Sequence, residues 1–414
     1  MSKVPLLAND FVTVYESPNP PGAYCYSPGI IRLDNGRLVA TMDLGGPEVD
    51  KLNPTQRFEH PRHPYTFVGK VFTSDDGGAT WVHRTDFPIM HARPFVAGNR
   101  IYILGQANDL GVLYSEDDGE TWSQTVMLTD GEQWHQSACN VWYANDSVYL
   151  VMERRLSFDV KGWPVSEFAP VLMRGAVDAD LTQRENWTFA SEIAFKDVVP
   201  DTVDLVGFPF WTPFETKGMS PMGWLETNVV QFVDPDHVWC DPTGHTFHLW
   251  MRAHTGGTGY AAIAKVVEND DGSMTTELET VPSGQRVVFV PCPGGQMRFH
   301  VLYDEQMAIY WLLSSLSWDS MTHIDKLPAD RYNLPNNERQ VLALHFSKNM
   351  MDWRMAGVVA QGNTASEARH YASMIFDGDD ILVLSRSGDE KAKNAHDGNL
   401  ITFHRVKDFR DLVY

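Results

Sequence analysis

Histidine, arginine and tyrosine recur in short clusters along the 414-residue chain. They are His60-Pro61-Arg62-His63, Met90-His91-Ala92-Arg93, Trp134-His135, Glu153-Arg154-Arg155, Trp250-Met251-Arg252-Ala253-His254, Gln296-Met297-Arg298-Phe299-His300 and Arg369-His370-Tyr371. A guanidinium fork grips a carboxylate bidentately and stays charged, while His and Tyr rings give or take a proton. Clusters that mix the two suit the binding of an anionic ligand with proton transfer beside it. Any one of them alone reads more simply as a surface charge or a satisfied core histidine. Their recurrence at equivalent ends of successive strand units is what singles them out, and it adds His135 and Gln296 to the candidate ligand contacts.

The elements that must position these clusters are short strands separated by Gly, Asp, Asn and Pro, an all-β pattern. Tyr26 to Leu33, Asp34-Asn35-Gly36 and Arg37 to Thr41 read as strand, tight turn and strand, and the phrase returns near Arg93, Val141 and Ser373. Two copies of S-x-D-x-G-x-T-W stand 41 positions apart, Ser74 to Trp81 and Ser115 to Trp122. Ser and Asp satisfy turn amides, Gly takes a conformation closed to other residues, and Trp is expected to be buried beneath the turn. Weaker copies end at Trp187 and Trp353. Such a repeat predicts a single β-propeller domain over residues 1–414, closed by the strand near 400–406 pairing with N-terminal strands. Blades of about 40 to 50 residues with insertions give six to eight, with seven expected and six admitted. The Pro- and Gly-rich run from Phe208 to Thr227 reads as a long loop over one face, where Trp211 and Trp224 could contact a ligand.

Composition sets the outer limits: 43% hydrophobic and 12% aromatic residues suffice for a large core, as in a soluble globular protein. A net charge of −21 disfavours nucleic acid and membrane surfaces as partners, so an acidic ligand must be met by a local cluster of Arg and His. Cys25, Cys139, Cys240 and Cys292 lack metal-ligand spacing and read as thiols. Asp377, Asp379 and Asp380 read as hairpin turn residues, with a structural calcium as the alternative; no other cofactor is called for. The N-terminus carries no apolar core of signal-peptide length before Asp10, which leaves the location open.

Several phrases stand together in a familiar way: His91-Ala92-x-Pro94-Phe95, Tyr102-Ile103-Leu104-Gly105, Trp250-Met251-Arg252, Arg369-His370-Tyr371 and Ala395-His396-Asp397-x-Asn399. With the S-x-D-x-G-x-T-W turns, known as Asp boxes, the chain resembles the sialidase-like seven-bladed propellers that act on uronic-acid glycans. These are ulvan lyases, rhamnose-glucuronate lyases and a related α-L-rhamnosidase family. The resemblance implies an acidic oligosaccharide or polysaccharide substrate and β-elimination at a 4-linked uronate, with an exo-acting α-L-rhamnosidase or a non-catalytic glycan-binding propeller as alternatives. It also implies His91 and Tyr371, and more weakly His63, as proton-transfer residues, and Arg154, Arg252 and Arg369 as substrate contacts. Gln106 stands where some relatives carry a second His.

Elimination needs the carboxylate neutralised before the adjacent C–H becomes acidic, and arginine does that while lowering the pKa of a nearby Tyr. Arg369 and Tyr371 are expected on the same strand face, with His370 opposite. Propeller sialidases offer a rival scheme, an arginine triad with a Tyr nucleophile, although Ser27-Pro28-Gly29-Ile30 replaces their opening F/Y-R-I-P phrase.

Overall fold

A computed structural model describes residues 6–60, 65–135, 139–198, 222–255, 257–318, 326, 337–364 and 366–414. Among these, six antiparallel sheets of four or five strands follow one another along the chain. Their first strands touch from sheet to sheet, so the architecture is an all-β propeller. We number the blades by those innermost strands: Tyr24–Arg32 for blade 1, Met90–Ala97 for blade 2, the pair Trp134–His135 and Trp142–Ala144 for blade 3, Gly223–Val230 for blade 4, His300–Asp304 for blade 5 and Arg369–Asp377 for blade 6. The count is six rather than the expected seven. Between blades 4 and 5 the short strands form no further blade: Phe289–Pro291 joins the blade 4 sheet, and Glu279–Thr280 pairs only with Arg286–Val287.

Each blade is a small sandwich of apolar faces packed on the next. Trp311, Leu342 and Leu344 of blade 5 share one cluster with Met374, Ile381 and Val383 of blade 6, and Phe95, Leu104 and Val112 of blade 2 share another with Leu150 and Val171 of blade 3. Strand alternation supplies these faces. Blade 6 takes its outermost strand from the other end of the chain: Val12–Glu16 pairs antiparallel with Leu400–Val406, Val12 opposite Phe403 and Glu16 opposite Leu400. That pairing removes the free edge that would otherwise end the ring.

Both Asp boxes close the turn from the third to the fourth strand of a blade. In the first, Ser74 Oγ accepts the Gly78 N–H at 2.9 Å, and Asp76 accepts from the Thr80 N–H at 2.9 Å and hydroxyl at 2.6 Å. The second repeats these bonds with Ser115, Asp117, Gly119 and Thr121. Gly78 lies at φ +94°, and a Cβ there would sit 2.2 Å from the Phe403 ring, so no other residue fits. The tryptophans depart from expectation. Trp81 and Trp122 are only half-buried, because each ring lies along the rim and spends its indole N–H on its own turn, at Gly78 O and Gly119 O. In the weaker copies the indole reaches Leu181 O from Trp187 and Pro291 O from Trp353.

One further expectation changes, and the turn reading of the Asp cluster holds. Residues 223–227 belong to a fully buried strand rather than to a loop, and Trp224 is sealed with its indole N–H on Phe168 O at 2.8 Å, which removes it from any ligand surface. Residues 208–221, with Trp211, lie outside the described residues. The Asp377, Asp379 and Asp380 carboxylates are taken up by Arg405 and Arg410 at 2.8 to 3.0 Å, as turn residues, and no group of three or more potential metal ligands occurs among the described residues.

Candidate active site

Four of the innermost strands carry the same irregularity. Register slips between Tyr26 and Gly29, Met90 and Arg93, Leu225 and Asn228, and His370 and Ser373, with two residues facing one on the partner strand each time. The first extra residue is Ser27, His91, Glu226 or Tyr371, at φ +34°, +53°, +58° and +49°. Non-glycine residues enter this region rarely, and bulges re-aim a side chain out of the strand's alternation. Here they turn all four side chains into one cavity of about 380 Å³ at one mouth of the ring axis. Tyr26, His60, His135, Trp163, Arg386, His396 and Asp397 complete its wall.

The second strands contribute at one repeated position, the residue paired with the last regular residue before each bulge: Asp43, Gln106, Arg252 and Arg386. Arg252 Nη1 donates to Tyr371 Oη at 2.7 Å and lies 3.3 Å from Glu226 Oε2, while its Nε donates to the Gln296 backbone carbonyl at 2.7 Å. Tyr371 Oη in turn donates to Glu226 Oε1 at 2.6 Å. The triad joins blades 4 and 6 across the axis and is buried throughout. Burial is the largest influence on Tyr371 and raises its pKa; Arg252 opposes it, and Glu226 adds to it. The expected lowering by arginine is therefore overturned: desolvation wins, and the phenol keeps its proton unless Glu226 takes it.

Gln106 contacts the His91 ring. Its Oε1 accepts the Asn108 N–H at 2.8 Å, which directs the amide NH₂ at His91 Nδ1, 3.3 Å away. Nδ1 then accepts, so His91 carries its proton on Nε2 and acts as a hydrogen-bond donor. The His91 and His135 rings meet edge to face at 4.8 Å, and His135 stacks on Phe168. On the facing wall His396 Nδ1 lies 2.7 Å from Asp397, which also accepts from Tyr26 Oη at 3.0 Å. Arg386 donates to the His396 carbonyl and sits over the Tyr26 and Tyr371 rings, 4.2 and 5.3 Å from their centroids, and Arg339 is 5.3 Å from the Tyr371 ring.

Each bulge is also tied from the preceding blade. Asp43 of blade 1 accepts the His91 N–H at 2.8 Å. Glu153 of blade 3 accepts from Thr227 N–H and hydroxyl at 3.1 and 2.8 Å. Arg298, before blade 5, donates to the Tyr371 and Ala372 carbonyls, both at 2.6 Å. Ser373 of blade 6 donates to the Pro28 carbonyl at 2.7 Å. The strained residues are thus held by neighbours, not by their own strands.

Of the residues singled out in the sequence, Tyr371, His91, His135 and Arg252 come together here. Arg369 does not. The bulge at Tyr371 breaks the alternation, so Arg369 turns away to the Ala368 and Gly388 carbonyls and lies over Phe11, while His370 stays beside Tyr371 with Nδ1 at 3.0 Å from Arg339. Arg154 is held at the periphery by Glu192 at 2.8 Å and Glu132 at 3.3 Å. The Gln296 side chain bonds Gly259 and Ser315, so it only carries the carbonyl that orients Arg252. His63 lies outside the described residues. Glu226, Arg386 and Asp397 were missed as site residues; the usable signal is a chemically active residue one step before a small one, as in His91-Ala92, Glu226-Thr227 and Tyr371-Ala372, repeated on the innermost strands of blades 2, 4 and 6.

No protein-family model and no curated protein sequence matches the chain. Solved structures do. A Penicillium chrysogenum α-L-arabinanase complexed with arabinobiose superposes with a TM-score of 0.50 at 11% identity, covering 98% of this chain and 99% of that one. The GH93 α-L-arabinofuranosidase of Fusarium graminearum with arabinobiose gives 0.51 at 10%, covering 97% and 98%. Trypanosoma rangeli sialidase in complex with sialic acid gives 0.51 at 14%, covering 100% of this chain and 59% of that one. At these identities the likeness is one of architecture: the chain has the fold of the sialidase-like and GH93 β-propellers.

Proposed function

We propose that this protein is a carbohydrate-active enzyme that cleaves a glycosidic bond beside a carboxylate-bearing sugar, with Tyr371 as the nucleophile and Glu226 as its base. The observation that carries this reading is the buried Arg252–Tyr371–Glu226 chain at 2.7 and 2.6 Å, since a nucleophile in hydrogen-bond reach of a base, oriented by a third group, is the activated arrangement. Tyr371 gives its proton to Glu226 and its oxygen attacks the anomeric carbon. The leaving oxygen accepts a hydrogen bond from His91 and takes its proton from water at the open mouth. The hydroxide left by that water then cleaves the tyrosyl glycoside at the anomeric carbon, and Glu226 returns its proton to the departing Tyr371 oxygen. Arg252, Arg339 and Arg386 give the site a positive field within an acidic chain, which favours a carboxylated substrate.

Elimination is the second reading, favoured by His91 and Tyr371 sharing one cavity. It requires a phenolate ready to take a C–H proton, whereas burial holds Tyr371 protonated. The test is incubation with aryl uronides, a sialoside and uronate-containing oligosaccharides, followed by reducing ends and by the ultraviolet absorbance of an unsaturated uronate. A 2-fluoro glycoside that leaves its mass on the Tyr371 peptide supports the nucleophile. Absorbance without an adduct reassigns the site to elimination, and turnover with neither leaves neither role for Tyr371.

A further inference from the structure

The ring axis has a second mouth. Downstream of the bulges the same inner strands line a separate cavity of about 340 Å³, with Arg93, Phe95, Trp142, His300, Tyr303 and Phe376 in its wall. Arg93 and His300 of its lining are more than nine-tenths buried and short of partners, and Glu305 is the one carboxylate in that lining. Arg93 Nη1 donates to the Val151 carbonyl at 3.2 Å, but Nε and Nη2 have no acceptor among the described residues, and His300 Nδ1 has none either. The contrast with Arg298 is instructive. That equally buried guanidinium places Nη1 on two carbonyls and Nη2 on the Ser373 hydroxyl, as a bulge clamp should, and leaves only Nε unmet.

A buried cation with three unmet N–H groups is costly, and here no carboxylate of the described residues forms an ion pair with it. Burial presses the Arg93 pKa down to about 10, the nearby Arg298 charge adds to the fall, and Glu153 only partly opposes it. The unmet nitrogens are not an arbitrary pair: Nε and Nη2 form the side-on fork that matches the two oxygens of a carboxylate. Around it, rings of Trp142, Tyr303 and Phe376 offer the apolar walls on which a sugar face packs, and the volume suits one or two sugar rings.

We propose that this second mouth is a binding site for a carboxylate-bearing sugar, its carboxylate gripped by the Nε and Nη2 fork of Arg93 and a ring hydroxyl donating to His300 Nδ1. The site is separate from the cleavage site and stands whether or not the proposed cleavage is right. In a processive or anchored mode of action it would hold a second stretch of an acidic glycan on the far face.

The test is calorimetric titration of the full chain with D-glucuronate, with D-glucose and inorganic phosphate as comparisons, repeated in Arg93→Gln, in Tyr303→Ala and in Arg252→Met to remove the first mouth. The expected result is glucuronate binding that survives Arg252→Met, falls about tenfold or more in Arg93→Gln and in Tyr303→Ala, and is at least about tenfold weaker for glucose. Tyr303 is half-exposed, so its variant decides the matter if Arg93→Gln does not fold. Binding abolished by Arg252→Met and untouched by Tyr303→Ala overturns the proposal. So does phosphate binding equal to glucuronate, which would make this a small-anion site, and so does a ligand-soaked crystal with only water on Arg93.

Discussion

At the scale of single residues, the site turns on which influence controls Tyr371. A guanidinium 2.7 Å away is a strong reason for a low pKa, yet complete burial outweighs it, and the carboxylate on the other side adds to the rise. The phenol therefore depends on Glu226. Tyr371→Phe removes only Oη while Arg252 and Glu226 keep each other as partners at 3.3 Å, so thermal stability should change little and kcat should fall by about 10² or more. Near wild-type turnover in that variant would exclude Tyr371 from the chemistry. Arg252→Lys keeps the charge but loses the geometry that spans Tyr371, Glu226 and the Gln296 carbonyl at once, so kcat should drop even where KM holds; equal steady-state kinetics would remove Arg252 from the site. His91 supplies a hydrogen bond rather than a proton, which predicts a steep dependence of rate on leaving-group pKa. A flat dependence across a series of aryl glycosides would contradict the tautomer that Gln106 sets.

At the scale of elements, the bulge and its tie from the preceding blade form the functional unit. Two of these ties are buried carboxyls, Asp43 and Glu153, each pushed up to about 8 chiefly by desolvation. Their folded values lie above their ordinary ones near 4, so the folded state binds more protons than the unfolded state between about pH 4 and 8. Stability is then greatest below that window and falls as pH rises through it. Glu153→Gln removes one titration, and its melting temperature should fall less steeply than wild type from pH 5 to 8. A slope equal to wild type would show that Glu153 is ionised in the folded protein. The Asp boxes make a quieter prediction. Trp81 is half-buried, and its ring meets Phe403 at 5.6 Å, so Trp81→Ala should cost about 1 to 3 kcal/mol, below the range for a fully buried Trp, and leave turnover of the folded protein intact. Selective loss of activity in a stable variant would contradict this.

At the scale of the whole molecule, one pairing decides whether the ring exists. Deleting residues 6–17 strips Val12–Glu16 from Leu400–Val406 and leaves an unpaired edge next to the Phe403 face. The truncated chain should lose cooperative unfolding and associate, as seen by scanning calorimetry and light scattering; a monomer with the wild-type transition would show that closure contributes nothing.

Much of this architecture was legible beforehand, because hairpins and Asp boxes are local. Ser74, Asp76, Gly78 and Thr80 meet within one turn, so their types and spacing suffice to place the turn between a third and a fourth strand. The blade count was not, since it depends on how much chain the connections consume. The site was readable only in part. Tyr371, His91 and Arg252 stand out as chemistry near strand ends, but strand alternation wrongly grouped Tyr371 with Arg369. Positive φ at Ser27, His91, Glu226 and Tyr371 is stabilised by Asp43, Glu153, Arg298 and Ser373 from neighbouring blades, up to 345 residues away in sequence. Local sequence determines turns and strands because their hydrogen bonds close over a few residues. Which side chains face the axis was decided only by the closed ring, because the contacts that hold each bulge open belong to the preceding blade.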